Sequence, residues 1–209
     1  MKTLTPARRF YREHKLVSAW LSDLERTIAK TDFTDNAEVS DIKKRLEDIF
    51  SLLKGHAEHE DKSIHQLLRD KGSTIQAEIE SDHLDHASIF AHLENQLTTI
   101  LDSKDINAQI DLGYQFYLDY RHFVGLNLIH LHHEETKIMP ELQRLCTEEE
   151  LREIEYKTYR IMTPEQIIDM IQVLFPYFNA DDKGYFLEDI KNCVPEKFAI
   201  ILPKIAKFI

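Results

Sequence analysis

Two copies of one short pattern, His-x-x-x-Glu, lie far apart in the chain: His56-Ala-Glu-His-Glu60 and His130-Leu-His-His-Glu134. In an α-helix of about 3.6 residues per turn, residues four apart stand almost in line. Each copy therefore offers an imidazole and a carboxylate on one helix face. Two such turns facing each other inside a helix bundle would bring neutral nitrogens and bridging anions together. That donor set suits a pair of transition-metal ions, with iron the first choice.

The elements that must position these groups are written in the apolar spacing. In four segments, apolar residues recur at alternating steps of three and four, the mark of a buried helical stripe. The first reads Phe10, His14, Val17, Leu21, Leu24, Ile28. The second runs Ile42, Leu46, Ile49, Leu53, His56, Glu60 and resumes at Leu67. The third is Ile79, His83, His86, Phe90, Leu93, Leu97, Ile100, and the fourth Phe116, Tyr120, Phe123, Asn127, His130, Glu134, Ile138. The polar residues fall in step with the apolar ones, so they belong to the core stripes.

Breaks fall where bundle loops are needed. Thr31–Asn36 and Asp102–Asp105 supply capping residues, Gly72 can end a helix in the left-handed conformation, and Ser73 with Gln76 forms a capping-box pattern. Connections this short join antiparallel neighbours. The expected fold is all-α: an up-down-up-down antiparallel four-helix bundle over residues 1–146, followed by a C-terminal extension of short helices over 147–209. Thr147 with Glu150, and Thr163-Pro164-Glu165-Gln166, mark helix starts in the extension. Further helices are expected around 164–178, 182–193 and 196–208. They should pack on the bundle or form a small subdomain. A weak internal repeat, Glu13-His14 with Asp82-His83 and His56–Glu60 with His130–Glu134, suggests two related helical hairpins.

Burial decides how the histidines are read. All 11 lie between His14 and His133. A buried charge is costly unless paired or metal-bound. A core network in which His and Glu satisfy each other accounts for a single pair, but gives no reason for one spacing to occur twice. A metal centre accounts for all four helices delivering such groups. At about 100° per residue, His65 and His132 point away from the ligand faces and are expected at the surface. His59, His92, His122 and His133 sit to the side. Asn127 is placed to hydrogen-bond near the ligands, and Phe10, Phe90, Tyr120 and Phe123 to wall the site.

Other chemistries fit less well. The zinc-protease pattern His-Glu-x-x-His is absent at His59-Glu60, and a ferritin-like site needs two Glu-x-x-His units where only Glu80-x-x-His83 is suitably placed. Asn179-Ala-Asp181-Asp-Lys183-Gly184 imitates the start of a calcium loop, but Lys183 and Ile190 stand where oxygen donors are required. A net charge of -11 disfavours a nucleic-acid partner. No apolar run reaches the ~20 residues of a membrane span, and no apolar run follows the basic N-terminal residues. Cys146 and Cys193 have no metal-type spacing and read as reduced thiols of a cytoplasmic protein.

These motifs together resemble the hemerythrin-like (HHE cation-binding) family. The resemblance rests on Glu13-His14, His56-Ala-Glu-His-Glu60, Asp82-His83-Leu-Asp-His86 and His130-Leu-His-His-Glu134-Glu-Thr-Lys-Ile-Met-Pro140, and covers about residues 5–145. It implies a non-haem di-iron centre bridged by two carboxylates and a solvent-derived oxygen. On that basis His14 and His56 hold one iron, His130 with His83, His86 or both holds the other, and Glu60 and Glu134 bridge. Two features depart from oxygen-carrying members. Their third helix has His-x-x-x-His, where this chain has His83-x-x-His86. Their fourth has His-x-x-x-x-Asp, where this chain has His130-x-x-x-Glu134. The second departure is similar to members that sense iron or oxygen, or that handle nitric oxide and cluster iron.

The resulting expectation is a protein, not an enzyme, that binds dioxygen or another small diatomic ligand for storage, delivery or sensing. The alternative is a di-iron enzyme handling nitric oxide, peroxide or iron for cluster repair. The C-terminal helices could dock a protein partner.

Overall fold

The computed structural model describes residues 12–208, and within them every side chain except those of Glu78 and residues 80–87. The chain is all-helical, with no strand among the described residues. Among the described residues ten α-helices follow one another: α1 (Arg12–Ile28), α2 (Asn36–His59), α3 (Gln66–Asp70), α4 (Ala77–Asp102), α5 (Ile106–His133), α6 (Met139–Leu145), α7 (Glu148–Ile161), α8 (Pro164–Leu174), α9 (Ala180–Cys193) and α10 (Pro195–Ile205). Two π-helical segments, Glu60–His65 and Glu134–Ile138, join α2 to α3 and α5 to α6 without a break. The helices form two compact units, one of Val17–Ile138, the other of the described residues of Met1–Leu16 and Met139–Ile209.

In the first unit the stripes read from the sequence are the core. Val17, Leu21, Leu24 and Ile28 of α1 are buried, as are Ile42, Leu46 and Ile49 of α2, Leu93, Leu97 and Ile100 of α4, and Phe116, Tyr120 and Phe123 of α5. Each fully buried aliphatic or aromatic side chain contributes about 1.5–3 kcal/mol relative to exposure. Helix α4 packs against both α2 and α5, and Phe50 of α2 stacks on Phe90 of α4 with ring centroids 3.6 Å apart. Tyr120 brings a polar atom into this core and satisfies it: its hydroxyl donates to the Leu21 carbonyl at 3.1 Å. Burial pushes that phenol above its ordinary range, so it stays neutral.

Helix ends follow local chemistry, with one exception. Asp35 and Asp105 accept hydrogen bonds from the Ala37 and Asn107 amides and start α2 and α5. Gly72, at φ 79°, ends α3 in the left-handed region, where a Cβ is strained. The expected capping box at Ser73 and Gln76 does not form. Ser73 Oγ instead accepts from the Ile75 amide at 3.4 Å, and a turn closed by Ala77 N to Thr74 O delays α4 to Ala77. Gln76 is buried and gives no side-chain cap. The short-range turn wins over the longer-reaching box.

The second unit is built from well-capped short helices. Thr147 with Glu150, and Thr163 with Gln166 behind Pro164, make complete capping boxes. So does Asn179 with Asp182, which explains the residues that mimic a calcium loop. The helices expected around 164–178, 182–193 and 196–208 are α8 with a 3-10 turn at Phe175–Tyr177, then α9 and α10. Phe175, Phe178 and Phe186 meet edge-on or tilted, with Tyr159 against Phe186. The Arg12 guanidinium lies over Phe186, 5.3 Å from the ring centre, and within 3.1 Å of Glu155 and 3.3 Å of Asp189. Burial works against its charge most strongly. Glu155, Tyr159 and Asp189 overcome that cost and hold Arg12 above its ordinary value. Lys15 pairs with the buried Asp182. The Lys197 ammonium donates to the carbonyls of Tyr159, Arg160 and Met162, which satisfies the C-terminal end of α7. Neither Cys146 nor Cys193 is in a disulfide.

Candidate metal centre

Each His-x-x-x-Glu copy sits at the same structural junction. Helix α2 ends at His59 and α5 at His133, so Glu60 and Glu134 each open a π segment. The helical ladder continues through both carboxylate residues: the Glu60 amide bonds the His56 carbonyl, and the Glu134 amide the His130 carbonyl. Each imidazole is thereby held one turn before its carboxylate. His56 Nε2 lies 3.1 Å from Glu60 Oε1, and His130 Nε2 lies 3.0 Å from Glu134 Oε1. Glu60, His130 and Glu134 are buried, and His56 keeps 9% of its side chain exposed. Widened π turns recur at functional positions in helices, and here two of them begin at the candidate bridging residues.

Among the described residues, His14, His56, Glu60 and Glu134 form one group whose donor atoms lie within 4.8 Å of one another. His14 comes from α1, His56 from α2, and the two glutamates from the two π segments. Three of the four are buried. Two imidazole nitrogens with two carboxylates are a mixed nitrogen–oxygen set, suited to a first-row transition metal and unlike the all-oxygen shells of calcium or magnesium. Metal–donor bonds of about 2.1 Å put opposite donors roughly 4 Å apart, so the observed spread needs only small side-chain adjustments. The residues present fit a metal ion. His130 extends the group through Glu134, on which it abuts.

Of the seven ligands expected from sequence, the structure brings together His14, His56, Glu60 and Glu134, with His130 joined to Glu134. Helix α4 runs through His83 and His86, but their side chains lie outside the described residues, as does Phe10. Asn127 is buried, and its amide donates to the Phe123 carbonyl at 2.8 Å, a bond along its own helix. His92, His122 and His132 are exposed and His59 and His133 half-buried.

His65 departs from expectation. Instead of lying at the surface it is 1% exposed, with Nδ1 2.9 Å from Asp61 Oδ1. A π turn advances less per residue than an α turn, so residues beyond Glu60 swing back toward the interior. The same rotation moves the core stripe from Leu67, which is half-buried, to Ile64 and Leu68, which are buried. Neither π segment was read from the sequence. Its signal was the broken step between Glu60 and the next apolar residues.

An all-helical chain with a buried His/Glu group of this kind falls in the class of helical proteins with a group that could hold a metal ion. More closely, the chain belongs to the hemerythrin family: the model of the hemerythrin HHE cation-binding domain matches residues 5–142. No curated protein and no solved structure gives a match. No helix among the described residues is long and apolar enough to cross a membrane.

Proposed function

We propose that this protein holds two iron ions in an up-down-up-down antiparallel four-helix bundle and binds dioxygen, for storage, delivery or oxygen and iron sensing. In this reading His14 and His56 hold one iron, Glu60 and Glu134 bridge, and His130 with His83, His86 or both holds the other. Residues 1–146 form the iron-binding domain and 147–209 a helical extension open to a protein partner. The observation that carries the reading is the buried convergence of His14, His56, Glu60 and Glu134 within 4.8 Å. The iron pair would supply reversible binding of a small diatomic ligand. In this reading the protein's own groups hold the donors: His56 Nε2 and His130 Nε2 lie 3.1 Å and 3.0 Å from the carboxylates one turn on, and Phe90 and Phe123 are buried in the apolar core of α4 and α5.

The test is metal analysis of the chain loaded with ferrous iron, with visible spectra taken in air and again under argon. Two irons per chain, and a charge-transfer band that comes and goes with dioxygen, are expected. Irreversible bleaching to the ferric state would count against dioxygen carriage. A second reading, a di-iron enzyme handling nitric oxide, peroxide or cluster iron, is favoured by one observation. The fourth-helix carboxylate is Glu134, four residues after His130, instead of an aspartate five residues after it. Turnover of nitric oxide or peroxide with a reductant would select this reading.

A further inference from the structure

Helix α5 is apolar on two opposite faces, and only one of them meets the core. Phe116, Tyr120 and Phe123 face inward. On the other side Ile106, Ile110, Tyr114, Leu118, Leu128 and Ile129 are between 37% and 64% exposed. At 100° per residue these six fall within a band about 140° wide, and at 1.5 Å per residue the band runs about 35 Å. A solvent-facing helix side is normally polar, and a contiguous apolar patch of this extent marks an interaction surface. Two charged residues fall in the band, Arg121 and, at its edge, the exposed Asp111; the Arg121 guanidinium lies over the Tyr117 ring at 5.4 Å and 3.3 Å from Glu25 of α1.

We infer that this stripe is the interface of a symmetric homodimer in which α5 packs antiparallel against α5 of a second copy. The sequence along the stripe is complementary to its own reverse. In a pairing centred between Tyr117 and Leu118, Ile106 of one copy meets Ile129 of the other, and Ile110 meets Gly125. A Cβ built on Gly125 has nothing within 4 Å, so the bulkier Ile110 side chain faces open room there. Tyr114 meets Arg121, an aromatic face against a guanidinium, and Arg121 also comes within a turn of Asp111 of the second copy. The arrangement is isologous, each contact occurring twice about the axis, as closed dimers require. The six exposed apolar side chains offer roughly 600 Å² per copy, which with a polar rim approaches the ~800 Å² per partner of a standard interface. Arg121 and Asp111 offset one another within the strip, which lets two chains of net charge -11 meet along it.

The experiment is sedimentation equilibrium of the full chain at micromolar concentrations. The expected mass is twice 24.6 kDa. The Ile110→Glu/Tyr114→Glu variant should dissociate at least about 100-fold more readily, as loss of central interface anchors does, while its helical circular dichroism and unfolding temperature stay at wild-type values. Leu118→Arg, at the centre of the pairing, serves if the double variant does not fold. Ser51→Glu, on an exposed face of α2, should leave the dimer intact. A monomeric wild type overturns the inference, including one that instead co-sediments with phosphatidylcholine vesicles. So does a dimer that survives both stripe variants.

Discussion

In the proposed centre two glutamates would carry the chemistry, because a buried carboxylate demands a compensating positive charge. Glu60 and Glu134 are both buried and both within 4.8 Å of His14 and His56. Neutral imidazoles can donate hydrogen bonds to them but cannot balance two anions, whereas a divalent ion can. Glu134→Gln keeps the shape and removes the charge. Bound iron should fall by at least one ion per chain, since even the partners that only orient ligands change affinity about 10–100-fold. His132→Ala, two residues away and exposed, should retain full iron. Elemental analysis of both variants against wild type separates a metal centre from incidental histidine content: equal iron in Glu134→Gln would sink it.

At the level of helices, the two π segments are the feature that propensity does not foresee. Both interrupt a long apolar-patterned helix at the carboxylate, and both keep the histidine one turn behind it. Glycines in the helices show how closely the rest is packed. A Cβ at Gly113 of α5 would lie 2.2 Å from Phe33 Cγ and 2.7 Å from Phe33 Cβ, so the base of that ring must move. Overpacking of this kind costs about 1–3 kcal/mol and outweighs the ~1 kcal/mol that alanine gains in helix propensity. Gly113→Ala should therefore lower the unfolding temperature. Gly55→Ala, where a Cβ meets nothing within 4 Å, should raise stability by about 0.5–1 kcal/mol. Opposite signs in thermal melts are expected, and a stabilised Gly113→Ala would show the Phe33 contact to be slack.

For the molecule as a whole, metal binding and folding share one free energy. Groups that are buried without an ion in the unloaded protein must be dehydrated for the fold to form, and an ion that binds only the folded chain shifts the balance. Ferrous iron at about 1,000 times its dissociation constant adds ~4 kcal/mol. For a chain of this length that raises the midpoint by about 8–16 °C. Scanning calorimetry under anaerobic conditions, with and without ferrous iron, reads this directly. Equal midpoints would mean that the buried His and Glu residues satisfy one another and that the fold owes the metal nothing.

The helices, their core stripes and the burial of His14, Glu60, His130 and Glu134 were legible from spacing, because a period of about 3.6 residues is a local property that burial then selects. Val17, Leu21, Leu24, His14, Glu60, His130 and Glu134 lie on the inner faces where periodicity puts them. Three things were not legible. His65 and Leu68 turned inward because π turns change the rotation per residue, and nothing in residue type announces a π turn. Ser73 lost its cap to a competing turn of equal local plausibility. The second apolar face of α5 was not among the stripes read, although the inner face was, and only the neighbours of that helix leave Ile106, Ile110 and Tyr114 outside. Local order follows from local sequence. Which faces meet depends on contacts between residues remote along the chain, and those exist only once the helices have packed.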